Sequence, residues 1–144
     1  MKVSEVMTRD VRIASPDDNL EFAAQVMEAE DLGSLPVAEG DYLVGMLTDR
    51  DITVRAVAHG LAPRDSSVRE IMSADVKFVH DDEPVSRAAK LMGDLCVRRL
   101  PVMDRDMRLV GIVSLGDLAL TKLSHAGDAL QSIAEGPNRV EIPR

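Results

Sequence analysis

The chain repeats itself, and an internal repeat limits the possible folds more tightly than any composition can. Val3-Ser4-Glu5-Val6-Met7 returns as Val68-Arg69-Glu70-Ile71-Met72, 65 residues later. At that interval Val11 matches Val76, Ala23-Ala24 match Ala88-Ala89, Met27 matches Met92, and Leu35-Pro36-Val37 matches Leu100-Pro101-Val102. By Gly45 and Gly111 the interval has become 66, and His59 and His125 keep it, so one residue was gained in the turn between. The chain is therefore two copies of one unit of roughly sixty residues. The resulting boundaries are 1–60 for the first copy, 61–67 for an exposed linker, 68–127 for the second copy and 128–144 for a less patterned tail. Gly136-Pro137-Asn138 would break a helix in that tail, part of which is expected to be loosely ordered or to pack on a partner chain.

Each copy opens with a short amphipathic turn and then a strand, Val11 to Ala14 or Val76 to Val79. A helix follows. Leu20, Ala23, Ala24 and Met27 share one helical face, as do Val85, Ala88, Ala89 and Met92. Asp18 with Glu21 is placed to cap the first helix, and Pro84 stands near the first position of the second, where its missing N–H costs nothing. Two strands come next and should pair as a hairpin, Ser34 to Ala38 and Tyr42 to Leu47, around Glu39-Gly40-Asp41. The second copy has the longer turn, Asp104-Arg105-Asp106-Met107. The pattern implies an α/β (α+β) module of two pseudo-symmetric β-α-β-β-α repeats.

A helix closes each copy, Ile52 to Ala58 and Leu118 to Leu123, and it ends near His59-Gly60 or His125-Ala126-Gly127. Glycine past a helix end supplies a left-handed cap, and histidine suits the negative end of the dipole. The joint before this helix reads Gly45-Met46-Leu47-Thr48-Asp49-Arg50-Asp51-Ile52 and Gly111-Ile112-Val113-Ser114-Leu115-Gly116-Asp117-Leu118. A hydroxyl followed three residues later by an acid is a helix-start signature, because each satisfies a backbone N–H that lacks an intrahelical partner. The joints differ in charge. Asp49-Arg50 separates hydroxyl from acid in the first and Leu115-Gly116 in the second, while Arg98-Arg99 enters the middle strand where the first copy has Gly33-Ser34.

This tandem unit, with its Gly–apolar–apolar–Thr/Ser–x–x–Asp joints and the strands Leu35-Pro36-Val37 and Arg98-Arg99-Leu100-Pro101-Val102, resembles the cystathionine-β-synthase (CBS) domain pair over residues 1 to about 127. The resemblance implies a stand-alone regulatory module that binds AMP, ADP, ATP or S-adenosylmethionine in two clefts between the repeats. It also implies assembly as a homodimer and a signal passed to an unidentified target protein. Asp51 and Asp117 would accept hydrogen bonds from the ribose hydroxyls, and a carboxylate has the acceptor oxygens for both. Thr48 and Ser114 would meet phosphate, joined in the second copy by Arg98 and Arg99, whose guanidinium forks suit it. Adenine would lie against Ile13-Ala14 and Leu35-Pro36, or Val79-His80 and Leu100-Pro101. The plainer account is that these hydroxyl–acid pairs are helix caps worth about 1 kcal/mol each, and both roles can coexist.

Composition narrows the rest. A formal charge of −8, no Trp, one Tyr and two Phe disfavour nucleic acid as a partner. No apolar run approaches the roughly 20 residues of a membrane span, and Met1-Lys2-Val3-Ser4-Glu5 lacks a secretory signal's apolar stretch, which favours the cytoplasm. Cys96 stands alone and reads as a small core residue. His59 and His125 suit helix ends and His80 a solvated turn, so no catalytic or metal set is expected. The main alternative function is a dimeric interaction module that binds no nucleotide. Met7, Met27, Met46, Met72, Met92, Met103 and Met107 would give such a module an adaptable surface, although their match between copies favours core positions.

Overall fold

In a computed structural model that describes residues 1–120, the chain divides into two compact units. One comprises Arg12–Val76 with Met107–Leu109. The other comprises Met1–Val11, Lys77–Asp106 and the described residues from Val110 on. The units therefore do not coincide with the sequence repeats. The opening segment of each copy belongs to the unit built mainly from the other copy.

In the unit of the first copy, helix α1 runs Leu20–Glu30 with Leu20, Ala23 and Met27 buried as expected, whereas Ala24 is exposed and Val26 takes its place on the buried face. Its cap is Asn19, not Asp18: the Asn19 side chain accepts the Phe22 N–H at 2.8 Å, while Asp18 accepts the Ser15 N–H and Glu21 accepts from Arg64. The helix begins one residue later than expected because Asp18 is used by the turn before it. Strands β1 (Ser34–Glu39) and β2 (Tyr42–Thr48) pair antiparallel about Gly40, whose φ of 61° explains the glycine there. Helix α2 (Asp49–Asp51) continues through a π-helical stretch, Ile52–Ala56, and a 3₁₀ turn, Val57–His59. Gly60, at φ 72°, ends it as expected. The linker is less free than its composition suggests. Ser66 is buried, and the Pro63 and Ser66 carbonyls accept the Leu20 N–H at the start of α1. Helix α3 (Val68–Ile71) follows, and Val68 and Ile71 enter a core with Ala14, Leu20, Leu35, Val37 and Leu47.

The other unit repeats the plan. It holds a 3₁₀ turn at Val3–Glu5, β3 (Val79–His80), α4 (Val85–Leu95), β4 (Arg99–Met103), β5 (Leu109–Ser114) and α5 (Leu115–Ala119). Strand order is β3-β4-β5, with β3 parallel to β4. Pro84 is the N-cap of α4. Val3 and Met7 pack in its core beside Val79, Met92, Leu100, Val102 and Val113. Thus Val3 serves this unit and its counterpart Val68 serves the first.

Two expected strands are shorter than the apolar pattern suggested. Val11 to Ala14 makes a single parallel bridge, Ala14 to Val37, and Val76 to Val79 contributes only Val79 to a two-residue strand. Cys96 is exposed rather than core, because it is the left-handed cap of α4 at φ 56°. The methionines at 7, 27, 92 and 103 are buried, Met46 and Met72 are half-buried, and Met107 is exposed. Leu123, His125, Gly127 and the tail lie outside the described residues. Among the described residues no helix is long and apolar enough to cross a membrane.

Candidate functional sites at the two strand–helix joints

Each joint is built from a strand that ends in a hydroxyl and a helix that begins with an acid on its third residue. In the first, Thr48 Oγ1 accepts the Asp51 N–H at 2.9 Å and Asp51 Oδ2 accepts the Thr48 N–H at 3.0 Å. In the second, Ser114 Oγ accepts the Asp117 N–H at 3.1 Å and Asp117 Oδ2 accepts the Ser114 N–H at 2.8 Å. Both are reciprocal capping boxes, so the structural role read from the sequence is present in each copy. Each leaves Oδ1 of the acid, and the hydroxyl hydrogen, outside the box.

The joints differ in their surroundings. Asp51 is buried, and its Oδ1 lies 3.7 Å from Arg55 Nε, one turn along the helix. Asp117 is half-buried, and among the described residues it has no further hydrogen bond or ion pair. The Asp49 N–H donates to the Gly33 carbonyl at 2.9 Å, and the Leu115 N–H to the Arg98 carbonyl at 2.8 Å. These bonds tie each helix start to the beginning of the preceding middle strand. They bring Arg98 to the second joint and leave glycine at the first. In the first joint Asp49 Oδ1 also accepts the Arg50 N–H at 2.8 Å.

The structure treats the expected adenine wall more selectively. Ala14, Leu35, Val79 and Leu100 are fully enclosed, and Pro36 and Pro101 are buried, so these side chains serve the two cores. The backbone of Ala14 is also occupied, donating to Pro36 and accepting from Ala38 at 2.9 Å each. Buried in this way, these side chains offer little exposed surface to a purine. Ile13, 43% exposed, is the apolar residue of that set still open in the first copy.

The matching residue of the second copy was missed. Ala14 bridges Val37 and Val79 bridges Val102, so the repeat interval pairs Ile13 with Phe78, not Val79. Phe78 is half-buried and meets the His80 ring edge-on at 5.4 Å. Carrying the interval of 65 one residue back from Val79 would have found it. His80 is itself half-buried, with Nδ1 3.2 Å from the Asp104 carbonyl and its N–H donating to Glu83. Beside it Asp82 takes two hydrogen bonds from Arg105, and that guanidinium holds the Asp82 carboxyl below the usual carboxylate range. Arg98 and Arg99 are exposed, and among the described residues neither has a carboxylate within ion-pair distance.

Paired β-α-β-β-α units with these joints define a class of two-repeat modules. The sequence model of the CBS domain matches residues 3–57 and 68–122, and the chain belongs to the CBS-domain family. It is 40% identical over 136 residues to the CBS domain-containing protein YhcV of Bacillus subtilis, covering 92% of this chain and 94% of that one. Hypoxic response protein 1 of Mycobacterium tuberculosis is 35% identical over 123 residues, 85% of each chain. Its structure with two coordinated zinc ions superposes with a TM-score of 0.76 at 34% identity, covering 83% of this chain and 98% of that one. Among the described residues here, no cluster of three or more His, Cys, Asp or Glu is placed to hold a metal. The CBS pair of protein MJ0100, in complex with 5′-methylthioadenosine and S-adenosylmethionine, gives a TM-score of 0.71 at 28% identity over 85% of this chain and 95% of that one.

Proposed function

We propose that the chain is a regulatory module that binds adenosine-containing ligands (AMP, ADP, ATP or S-adenosylmethionine) at the two joints and passes their occupancy to a target protein. The observation that carries this reading is the duplicated acid, above all Asp117. It is held at the helix start through one oxygen and keeps the other for two neighbouring ribose hydroxyls. Ser114 retains a hydroxyl hydrogen for an anion, and Arg98 is tied to the same joint. Phe78 and Ile13 provide the apolar surface for adenine in place of the enclosed leucines. MJ0100, bound to two adenosine ligands, supports the chemical class and not a choice within it. The role is binding, with no reaction assigned to any residue.

The same reading includes a homodimer. Val54 and Val57 on the final helix of the first copy are 37% and 63% exposed, more apolar surface than one buried face requires. Leu120 after α5 is 83% exposed.

The test is thermal. A ligand at about 100 times its dissociation constant stabilises a fold by about 2.7 kcal/mol. At least one of AMP, ADP, ATP and S-adenosylmethionine is expected to raise the melting temperature in this way. If all four leave the melting curve unmoved at millimolar levels, the capping boxes account for the joints and the interaction module without nucleotide replaces this reading. Mass spectrometry of what copurifies with the protein would name the ligand.

A further inference from the structure

We infer that Arg55 is a positioning residue that ties the first joint to helix α3, so that whatever takes Asp51 from it loosens the end of that helix. The tie follows from the geometry of the first unit; that an adenosine ligand works it rests on the reading above.

Arg55 belongs to the π-helical stretch Ile52–Ala56, a winding rare in proteins. Ala56 enters the core there, while the Arg55 side chain stays 51% exposed. Its guanidinium nevertheless has two partners. Nε lies 3.7 Å from Asp51 Oδ1, the oxygen that the capping box leaves unused, and Nη1 donates to the Ile71 carbonyl at 3.3 Å. That carbonyl closes α3, where the last carbonyls have no intrahelical partner and a basic side chain can supply one. One planar fork of donors thus holds a carboxylate of the first copy and a backbone carbonyl of the second, which a single ammonium is less suited to do.

The segment beyond Ile71 gives the tie its consequence. The Met72 N–H donates to the Val68 carbonyl at 2.9 Å, and Met72 Sδ lies against Gly45. Ser73 then exchanges both backbone hydrogen bonds with Met46, two residues before Thr48. The end of α3 therefore reaches the first joint by two routes, through β2 and through Arg55. The second copy has the first route at the repeat intervals. The Met7 N–H donates to the Val3 carbonyl at 3.0 Å, and Thr8 exchanges both bonds with Ile112. In place of the arginine its sequence has Thr121, which carries no charge. A donor that takes Asp51 Oδ1, a ribose hydroxyl among them, competes with Arg55 and leaves the guanidinium one anchor instead of two. At Asp117 the same donor displaces no ion pair among the described residues.

The experiment measures hydrogen exchange on the full chain at the Met72 and Ser73 amides and at their counterparts, Met7 and Thr8. Arg55→Met keeps the aliphatic stem and removes both contacts; Asp51→Asn removes the charge from one of them. Each is expected to speed exchange at Met72 and Ser73 about tenfold, the scale of a lost hydrogen bond to a charged group, and the double variant no more than the larger single one. Asp117→Asn weakens its own cap in the same way and should leave Met7 and Thr8 unmoved. A cap loss alone would move both pairs alike, so equal responses at the two joints would overturn the inference, as would effects that add in the double variant. Arg55 is exposed, so Arg55→Met decides by itself if melting shows that Asp51→Asn does not fold: Met72 and Ser73 unchanged in it would overturn the tie. The ligand arm uses 5′-methylthioadenosine, whose lack of phosphate removes any direct pull on the guanidinium, in the Asp117→Asn chain. There Arg55→Met should bind it several-fold tighter, because the competitor for Asp51 is gone; weaker binding would make Arg55 a ligand contact and overturn the inference. If the compound binds neither chain, the adenosine reading fails, and the exchange comparison still decides the tie.

Discussion

Asp51 and Asp117 hold the same place in the two copies and differ in what faces their second oxygen. Arg55 lies 3.7 Å from Asp51 Oδ1, and the residue at the matching interval in the second copy is Thr121, which carries no charge. Asp117→Asn keeps an acceptor oxygen for the cap but removes the charge. Hydrogen bonds to charged groups contribute about 1.5–3 kcal/mol, so affinity for an adenosine ligand at that joint should fall roughly 10- to 100-fold. Stability without ligand should fall by about 1 kcal/mol or less, the scale of a weakened cap. Asp51→Asn is the matched control for the other joint. Titrations and melting curves on both variants separate the roles: stability lost with binding untouched would leave both acids as caps alone. Hydroxyl, acid and interval were all legible in the sequence at this scale. The burial of Leu35, Pro36, Val79, Leu100 and Pro101 was not, because an apolar triplet such as Leu35-Pro36-Val37 does not say which of its faces the fold encloses.

At the scale of elements the glycines of the two joints acquire a physical reason. In the sequence Gly45 and Gly111 are parts of a motif, each three residues before the hydroxyl that caps the helix. The structure puts other backbone there. A Cβ on Gly111 would lie 2.7 Å from Met7 Sδ and 2.8 Å from the Thr8 carbonyl oxygen; on Gly45 it would meet Met72 Sδ at 2.7 Å and the Ser73 carbonyl oxygen at 2.9 Å. In each case the neighbour is the opening segment of the other copy, bonded to the strand through both backbone groups: Thr8 with Ile112, Ser73 with Met46. Gly111→Ala should therefore cost about 1–3 kcal/mol, the range for an overfilled site, and expose the Thr8 and Ile112 amides to faster hydrogen exchange. Met7→Ala in the same chain should restore only part of the loss, since it leaves the Thr8 carbonyl in place. Full rescue, or no loss at all, would show that the segment yields and that the close approach does not set the glycine. The repeat predicted the helices and the hairpins well because their periodicity is local. It could not reveal the exchange of opening segments, since Val3 and Val68 look alike to either core and only the pairing of distant strands decides which each one fills.

On the proposed reading, occupancy of the joints would have to become something another protein can read, and a dimer would be the simplest carrier. The argument is one of burial. Ala56 on the π-helical stretch is enclosed and Ile52 packs partly against the core, which uses the inward face of the final helix. Val54 and Val57 are on the remainder, beside polar Thr53 and Arg55, and gain nothing by facing water. Burying a valine side chain contributes about 1.5 kcal/mol or more, so two chains each contributing both valines offset a useful part of the entropy of association. Net charge opposes this, since each chain carries −8, and added salt should favour the dimer by screening that repulsion. Light scattering across micromolar concentrations is expected to give twice the 15.7 kDa chain mass, moving further toward the dimer between low and physiological salt. Val57→Glu places a charge on the most exposed of these positions and should shift the protein to the monomer without moving its melting temperature at low concentration by more than a surface substitution does. A single monomeric mass for the wild type at every concentration would remove the homodimer. A dimer that Val57→Glu leaves intact would move the contact to another surface of the molecule.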